Sequence, residues 1–478
     1  MKPGSFCRSH MFFVILILMG KPCTAQEFSP LVQQFISTKG DTLAFTHVNI
    51  IDGTGQTPKT DQTLVIIKGR IAVIGNSLNV PIPATARISD CTGKTIIPGM
   101  IMMHEHMFYG EFVPPMYLGV EMPVSFPRLY LAGGVTTMRT TGSLEPQTDL
   151  NIRDQVNEGK IPGPDIDVTG PYIERAGIPI PEILFIKTPE DAAKQVSYWI
   201  SNGVTSFKVY TDITRADLAE VVRLAHQKNI KVTGHLCSIT YHEAADLGID
   251  NLEHGFWVSS DFDKTKKADA CNTALQTASL NKLDENSQEM KDLMAYLIKK
   301  NVTVTSTLPV FEPYTGREVF PGAGGEALTT VIKETIEKNY APRVGKDSVG
   351  RAMFKKEMAW EKQFVDMGGR LMAGIDPTGA GRVIPGYADR HVLELLVESG
   401  FSFPQAVKIC SLNAAQYLGR DKDIGTIEVG KKADLVLING DPLTDIKTVR
   451  NTETVFKNGV GFDSKKLFES VKGKVGLY

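Results

Sequence analysis

The chain has 478 residues, 42% of them hydrophobic and 22% charged, a composition typical of globular proteins that can bury a sizeable core. Lys and Arg number 52 and Asp and Glu number 54, so the formal net charge is −2. This balance argues against nucleic acid or an anionic membrane surface as a partner.

Residues 1–25 have the three-part layout of a secretory signal peptide. Two basic residues precede an apolar run over 11–19, and a Gly-Lys-Pro break and small residues follow it. The run is too short to remain as a membrane anchor. We therefore expect cleavage after Ala25, no transmembrane segment in the mature chain, and a secreted or periplasmic location. Lipid attachment at Cys23 is the less favoured alternative, because a proline precedes it.

The cysteines beyond this segment are predicted to be buried apolar residues. They are scattered singly and form no Cys-x-x-Cys pair, which argues against a thiolate metal site and against a disulfide framework. These four residues are Cys91, Cys237, Cys271 and Cys410.

Both ends of the chain are rich in predicted β-structure. Apolar runs separated by turn residues predict strands near the N-terminus and again near the C-terminus, at 43–51, 63–67, 70–74, 433–438 and 454–459. We expect residues 26–98 and 421–478 to form one small β-sandwich. It would flank a central domain of residues 99–420.

The central domain alternates short apolar strands with helical patterns, which is typical of βα repeats and a parallel sheet. Thr214 and Asp217 form a capping box before one clear amphipathic helix. The predicted strands are 101–103, 135–139, 165–169, 206–210, 231–235, 251–254, 302–308 and 370–376. Eight such units favour an α/β fold of the (β/α)₈ TIM-barrel type.

Side chains that can bind a metal end several of these strands, where a barrel places its catalytic groups. They are His104 and His106 on the first strand, His235 on the fifth, His254 on the sixth and Asp376 on the eighth. Residues two apart on a strand point the same way, so the first two imidazoles can reach one ion. A single such feature is common by chance. Their joint placement predicts a metal centre.

Lys208 ends the fourth strand among apolar neighbours. A buried ammonium group is costly unless it loses its charge or finds a partner. Reaction with CO₂ would give a carbamate, N6-carboxylysine, whose oxygens can bridge two cations. A salt-bridged lysine and a Schiff-base nucleophile are the alternatives, and the cluster of neutral histidines favours the bridging role.

Two divalent ions held in this way can share a hydroxide and polarise a carbonyl group. Asp376 can orient that hydroxide, accept its proton and pass the proton to a leaving nitrogen, so we assign it the catalytic role. Hydrolysis of an amide-type C–N bond in a small molecule is the reaction that suits this arrangement.

Two further residues are candidates for substrate contact. Tyr210 follows Lys208 by two positions and would point into the same cavity, and His391 opens a helix just after the last strand. The sequence leaves alternatives open. Tyr210 could simply pack against other side chains, and His391 could cap its helix or lie at the surface.

The pattern resembles the amidohydrolase superfamily over nearly the whole chain. Residues 97–106 resemble the family's first-strand signature, 134–137 its second-strand segment, and 425–436 its most family-specific string. The resemblance implies a binuclear centre, usually of zinc. One ion would take His104, His106 and Asp376, the other His235 and His254, with carbamylated Lys208 between them.

Within the superfamily the chain is similar to the imidazolonepropionase-like and Xaa-Pro dipeptidase-like branch, on Gly170-Pro171 and on segments within 393–415. Residues 172–177 replace a Gly- and His-rich loop that some of those dipeptidases carry, so their substrate does not carry over. The expected substrate is a dipeptide, an N-acyl amino acid or a cyclic amide. A homo-oligomer is compatible with the sequence.

The alternative function is that of a mononuclear deaminase of the same fold. Deaminases of the superfamily lack the bridging lysine and place a glutamate shortly after the strand-five histidine, where this chain has Cys237 and Ser238. A scaffold without chemistry is a third reading, but every expected ligand is present. Hydrolysis is therefore favoured.

Overall fold

The computed structural model describes residues 27–476, except 114, 176, 319, 321, 341–343, 347 and 379–381. The predicted signal peptide lies outside the described residues. Within the part that is described, no helix has both the length and the hydropathy needed to cross a bilayer.

The N-terminal region forms strands that bury apolar side chains in a shared core. The strands are β1 (Ile36–Thr38), β2 (Thr42–Ile50), β3 (Lys59–Ile67), β4 (Arg70–Asn76), β5 (Arg87–Asp90) and β6 (Lys94–Pro98). In β3 the polar first half is exposed or half-buried and Thr63 to Ile66 are buried, so this strand enters the core only along its second half.

The middle of the chain supplies parallel strands and one hairpin. The strands are β7 (Met100–Glu105), β8 (Phe108–Val113), β9 (Met116–Glu121), β10 (Val135–Thr140), β11 (Asp165–Asp167), β12 (Ser206–Val209), β13 (Lys231–Gly234), β14 (Asn251–Glu253), β15 (Thr303–Ser306) and β16 (Leu371–Ala373). Strands β8 and β9 pair as an antiparallel hairpin that the sequence analysis did not predict.

The C-terminal strands return to the N-terminal sheet. They are β17 (Leu435–Asn439), β18 (Thr452–Lys457) and β19 (Val460–Asp463). The sheet has nine strands in the order β1-β19-β18-β17-β6-β2-β3-β4, with β5 on β2. Strands β17 and β6 run antiparallel with Leu435 opposite Pro98, so both ends of the chain share one sheet.

Each of the eight predicted central strands overlaps one parallel strand. Strands β11, β10 and β7 form one parallel sheet and β12 to β16 form another, in chain order. A parallel bridge between Thr169 and Ser206 links the two sheets, and Ile375 N–H donates to the His104 carbonyl at 3.2 Å. Strands β12, β14, β15 and β16 are buried along their whole length, as expected for strands covered on both faces.

Helices connect and cover these strands. They are α1 (Pro30–Gln33), α2 (Phe126–Gly133), α3 (Pro146–Asn157), α4 (Pro189–Ser201), α5 (Arg215–His226), α6 (Tyr241–Asp246), α7 (Thr273–Lys282), α8 (Gln288–Lys299), α9 (Leu308–Phe311), α10 (Thr330–Tyr340), α11 (Ser348–Asp366), α12 (Tyr387–Glu398), α13 (Phe403–Ile409), α14 (Leu412–Tyr417) and α15 (Ser464–Glu469). The predicted capping box of α5 is confirmed, because Thr214 accepts a hydrogen bond from Asp217 N–H.

The prediction for two of the four cysteines is wrong. Cys237 and Cys271 form a disulfide across 34 residues, with their Cα atoms 5.0 Å apart. The bond joins the segment just after β13 to the loop that precedes α7, and this proximity arises only in the folded chain. Cys91 and Cys410 are free and buried, as predicted.

Candidate metal centre

The ends of β7, β14 and β16 bring imidazole and carboxylate groups to one point. His104 Nε2 lies 3.6 Å from Asp376 Oδ1, and His106 Nε2 lies 3.1 Å from the same oxygen. His254 Nδ1 lies 3.9 Å from Asp376 Oδ2. Ligand atoms of His104, His254 and Asp376 all lie within 4.8 Å of one another, which is close enough to share an ion.

The two remaining predicted ligands adjoin this group. Lys208 Nζ lies 3.4 Å from His104 Nε2, and the His235 ring centroid lies 4.4 Å from that of His254. The structure thus brings together all six residues that the sequence analysis assigned to the centre. Lys208 is 1% exposed, and the side chain of Asp376 is 14% exposed.

Two of these residues have an unusual backbone conformation just after their strands. His254 has φ 66° and Asp376 has φ 55°, a left-handed conformation that is uncommon outside glycine and clusters at functional sites. Gly374, between β16 and Asp376, lies against His104, where a Cβ atom would overlap the backbone of that histidine. Glycine at 374 therefore lets the end of β16 approach β7 closely.

Hydrogen bonds behind the imidazoles fix which nitrogen faces the centre. His104 Nδ1 lies 2.7 Å from Glu253 Oε2, and His106 Nδ1 lies 3.0 Å from the Gly142 carbonyl oxygen. Each acceptor favours a proton on Nδ1, which leaves Nε2 as the nitrogen that faces Asp376 and is available to a metal ion. This is the arrangement of histidines that ligate metals.

Glu253 belongs to a buried polar network that the sequence analysis did not identify. Arg139 Nη2 and Asn251 Nδ2 each donate to Glu253 Oε1 at 2.7 Å, and the Thr233 hydroxyl donates to the same oxygen. Burial opposes ionisation, yet His104 and Arg139 hold the pKa of Glu253 at about 2. The carboxylate therefore stays charged behind His104.

The charge state of the donors suits a divalent cation. Burial lowers the pKa of His106 to about 4 and that of His235 to about 3, so both imidazoles are neutral at neutral pH. Burial acts against ionisation of Asp376, but His104 and hydrogen bonds hold its pKa well below the usual value. Neutral imidazoles around a carboxylate are the ligand set of zinc and related ions, and the residues fit such a centre.

Lys208 is the basic member of the cluster. Burial lowers its pKa to about 8, although Asp376 and Glu253 act to raise it. An amine with this pKa has a neutral fraction near neutral pH, and only the neutral amine can react with CO₂. Its ammonium nitrogen lies 5.0 Å from the ring centroid of Tyr172 and 5.2 Å from that of Tyr210.

Two tyrosines form one wall of the centre. The Tyr210 ring lies 5.0 Å from the His235 ring, where the sequence analysis placed it. Tyr172, which the sequence analysis did not single out, stacks on His106 with ring centroids 6.2 Å apart and 18° between the planes. Substrate contact by Tyr210 stays a prediction.

His391 lies at the end of the same strands but outside the ligand cluster. Its Nδ1 lies 3.0 Å from Glu394 Oε2, its Nε2 lies 2.8 Å from Glu312 Oε2, and its ring stacks on Phe320 at 3.8 Å. It lines a cavity, partly open to solvent, between the segments that follow β15 and β16. Carboxylates occupy both of its nitrogens, and its substrate contact also stays a prediction.

Comparison with known proteins gives family and fold. The amidohydrolase family profile matches residues 95–461. An imidazolonepropionase of Geobacillus sp. (strain WCH70) is 29% identical over 163 residues, 31% of this chain and 37% of that protein. A 5-methylthioadenosine/S-adenosylhomocysteine deaminase of Moorella thermoacetica is 32% identical over 84 residues, 16% of this chain and 20% of that protein. The matched segments thus span well under two thirds of these two relatives.

A solved structure matches over more of the chain. A Xaa-Pro dipeptidase with methionine bound in its active site has a TM-score of 0.65 and 18% identity, covering 88% of this chain and 100% of that one. At this identity the similarity concerns the fold. The predicted resemblance to imidazolonepropionase-like and Xaa-Pro dipeptidase-like proteins is confirmed.

Proposed function

Because this chain belongs to the amidohydrolase family, we propose that it is an exported, metal-dependent hydrolase of an amide-type C–N bond. The observation that carries this proposal is the convergence of four histidines, Lys208 and Asp376 at the ends of parallel strands. The substrates we propose are dipeptides, N-acyl amino acids and cyclic amides.

We also propose the finer architecture. Residues 99–420 would close into a (β/α)₈ barrel, which the bridge between Thr169 and Ser206 and the hydrogen bond from Ile375 to His104 support. Residues 26–98 and 421–478 would fold as a small sandwich, which the shared nine-stranded sheet supports.

The centre would hold two divalent ions, with zinc as the expected metal. His104, His106 and Asp376 would bind one, His235 and His254 the other, and Lys208 carbamylated by CO₂ would lie between them. Ions bound here would supply Lewis-acid activation of water and of the amide carbonyl. Glu253 and the Gly142 carbonyl hold the imidazoles of His104 and His106 in the ligating orientation.

Asp376 is the residue that moves the proton. Its low pKa keeps it ionised, and its partly exposed carboxylate can accept a proton from the attacking water. As the new C–O bond forms and the C–N bond breaks, that proton passes to the leaving nitrogen. The rings of Tyr172 and Tyr210 lie against Lys208.

We expect protein purified with zinc and bicarbonate to carry close to two ions per chain. Four histidines, a carbamate and a carboxylate are too many ligands for one catalytic zinc that keeps an open position. Elemental analysis measures this number, and chelation followed by zinc addition should remove and restore turnover. A firm value of one ion would favour the mononuclear deaminase.

A panel of dipeptides, N-acyl amino acids and lactams tests the proposed hydrolysis. Nucleoside analogues in the same panel test the deaminase alternative. Hydrolysis of amides without release of ammonia from the nucleosides supports the proposal. The similarity to the Moorella thermoacetica deaminase is the observation that favours the alternative, and Lys208 beside His104 is the observation against it. Ammonia release alone would establish the alternative.

Export is proposed from the signal sequence of residues 1–25. The disulfide between Cys237 and Cys271 supports it, because such bonds persist in oxidising compartments outside the cytoplasm. We expect the intact mass of exported protein to correspond to a chain beginning at Gln26. A mature chain that retains Met1 and fractionates with the cytoplasm would contradict the proposal.

A further inference from the structure

The hairpin of β8 and β9 reaches the turn that carries Asp376. Gly110 N–H donates to the Thr378 carbonyl at 3.1 Å, and the Tyr117 hydroxyl donates to the same carbonyl. Thr378 N–H in turn donates to the Asp376 carbonyl at 2.8 Å. Two donors from one hairpin thus hold a carbonyl group two residues from the proposed catalytic carboxylate.

The sequence of the hairpin makes this contact feasible. A Cβ atom at Gly110 would overlap the Tyr117 side chain, so glycine leaves the space that this phenol occupies. The hairpin is itself anchored elsewhere. Tyr117 N–H donates to the Pro179 carbonyl at 2.8 Å, and Gly119 N–H donates to Glu182 Oε1 at 3.1 Å. The Tyr117 phenol therefore lies on a hairpin that other hydrogen bonds hold in place.

The turn at Asp376 needs support from more than one side. Strand β16 ends at Ala373, and Asp376 has φ 55°, a conformation that surrounding contacts must maintain. From the side of β7, Asp376 N–H donates to the His104 carbonyl at 3.0 Å. The hairpin supplies the opposing contact, on the carbonyl of Thr378.

We propose that Tyr117 is a positioning residue that holds the Asp376 carboxylate in place through the Thr378 carbonyl. The inference rests on the proposed function, because it gives the fixed carboxylate a role in binding a metal and moving a proton. Tyr117 itself makes no contact with the ligand atoms of the centre among the described hydrogen bonds.

The test is Tyr117→Phe, which keeps the ring and the fold of the hairpin but removes the donor. Losing one hydrogen bond to a catalytic turn should lower kcat about three- to tenfold, with KM changed by less than about twofold. Zinc affinity, measured by competition with a chelator and without substrate, should fall by a similar factor. Tyr296→Phe is the matched control, since it loses a hydroxyl bonded to Asp246 on a distant helix.

A double-mutant cycle on zinc affinity separates positioning from packing. In the Asp376→Ala background, where position 376 supplies no ligand, Tyr117→Phe should cause little further loss of zinc affinity. Unchanged zinc affinity with a lowered Tm, or an equal loss in both backgrounds, would overturn the role of Tyr117 and leave the proposed function standing. Wild-type protein that binds no zinc would overturn the proposed function, and this inference with it.

Discussion

Replacing Lys208 by arginine is expected to remove most of the turnover and at least one metal ion. Arginine keeps a positive charge in a site that is 1% exposed, but its guanidinium group cannot form a carbamate. Two dications a few ångströms apart repel strongly, and an anionic bridge relieves that repulsion. Without it, we expect a loss of roughly a thousandfold in kcat, or about 4 kcal/mol of transition-state stabilisation.

Metal analysis and turnover should be measured together on Lys208→Arg and Lys208→Ala. A short carboxylic acid in solution should restore part of both properties in the alanine variant, by supplying bridging oxygens. Lys231→Arg is the control, because Lys231 begins the neighbouring strand β13 at the end opposite the centre. Full metal occupancy and near-normal turnover in Lys208→Arg would show that the bridging assignment is wrong.

Replacing Asp376 by asparagine is expected to lower kcat by about a hundred- to ten-thousandfold. The amide has nearly the shape of the carboxylate, so the turn and its hydrogen bonds should persist. It carries no charge for the ions and accepts no proton from water. We expect zinc affinity to fall less than kcat does, because the amide oxygen remains available as a neutral ligand.

The measurement is kcat and bound zinc on the same preparation of Asp376→Asn. Asp212→Asn is the control, since Asp212 follows β12 in the chain and accepts a hydrogen bond from Thr211. If Asp376→Asn kept wild-type turnover with full zinc, another group would have to move the proton.

The clustering of the six candidate ligands could be predicted from sequence because strand ends are local features. An apolar run that stops at a histidine or an aspartate marks both the strand and the end that carries the polar group. Since parallel strands place their C-terminal ends along one edge, six separate residues become one cluster without knowledge of any contact. The predicted strands extend a few residues beyond the observed strand ends, as at β15 and β16.

Contacts between segments that are distant in sequence could not be predicted, because the register of the strands sets them. Arg139 on β10 and Glu253 on β14 form their ion pair between two different parallel sheets, although 114 residues separate them in sequence. A signal existed, since a charged residue inside a buried strand requires a partner. The hairpin of β8 and β9 has a weaker signal in the sequence. Its sequence does not alternate apolar and polar residues, and its anchoring bonds, except the one from Gly119 to Glu182, go to backbone carbonyl groups.

The sheet shared by both termini has a consequence for the order in which the chain can fold. Strand β6 pairs with β17, and Pro98 lies opposite Leu435, roughly 340 residues later. At synthesis rates of about 5 to 20 residues per second, β6 would wait roughly 20 to 70 s for this partner. During that time its apolar edge is open to other chains, and such long-range pairing is intrinsically slow. Nascent protein should therefore depend on chaperones that keep β6 from pairing early, and chains truncated before β17 should aggregate rather than fold.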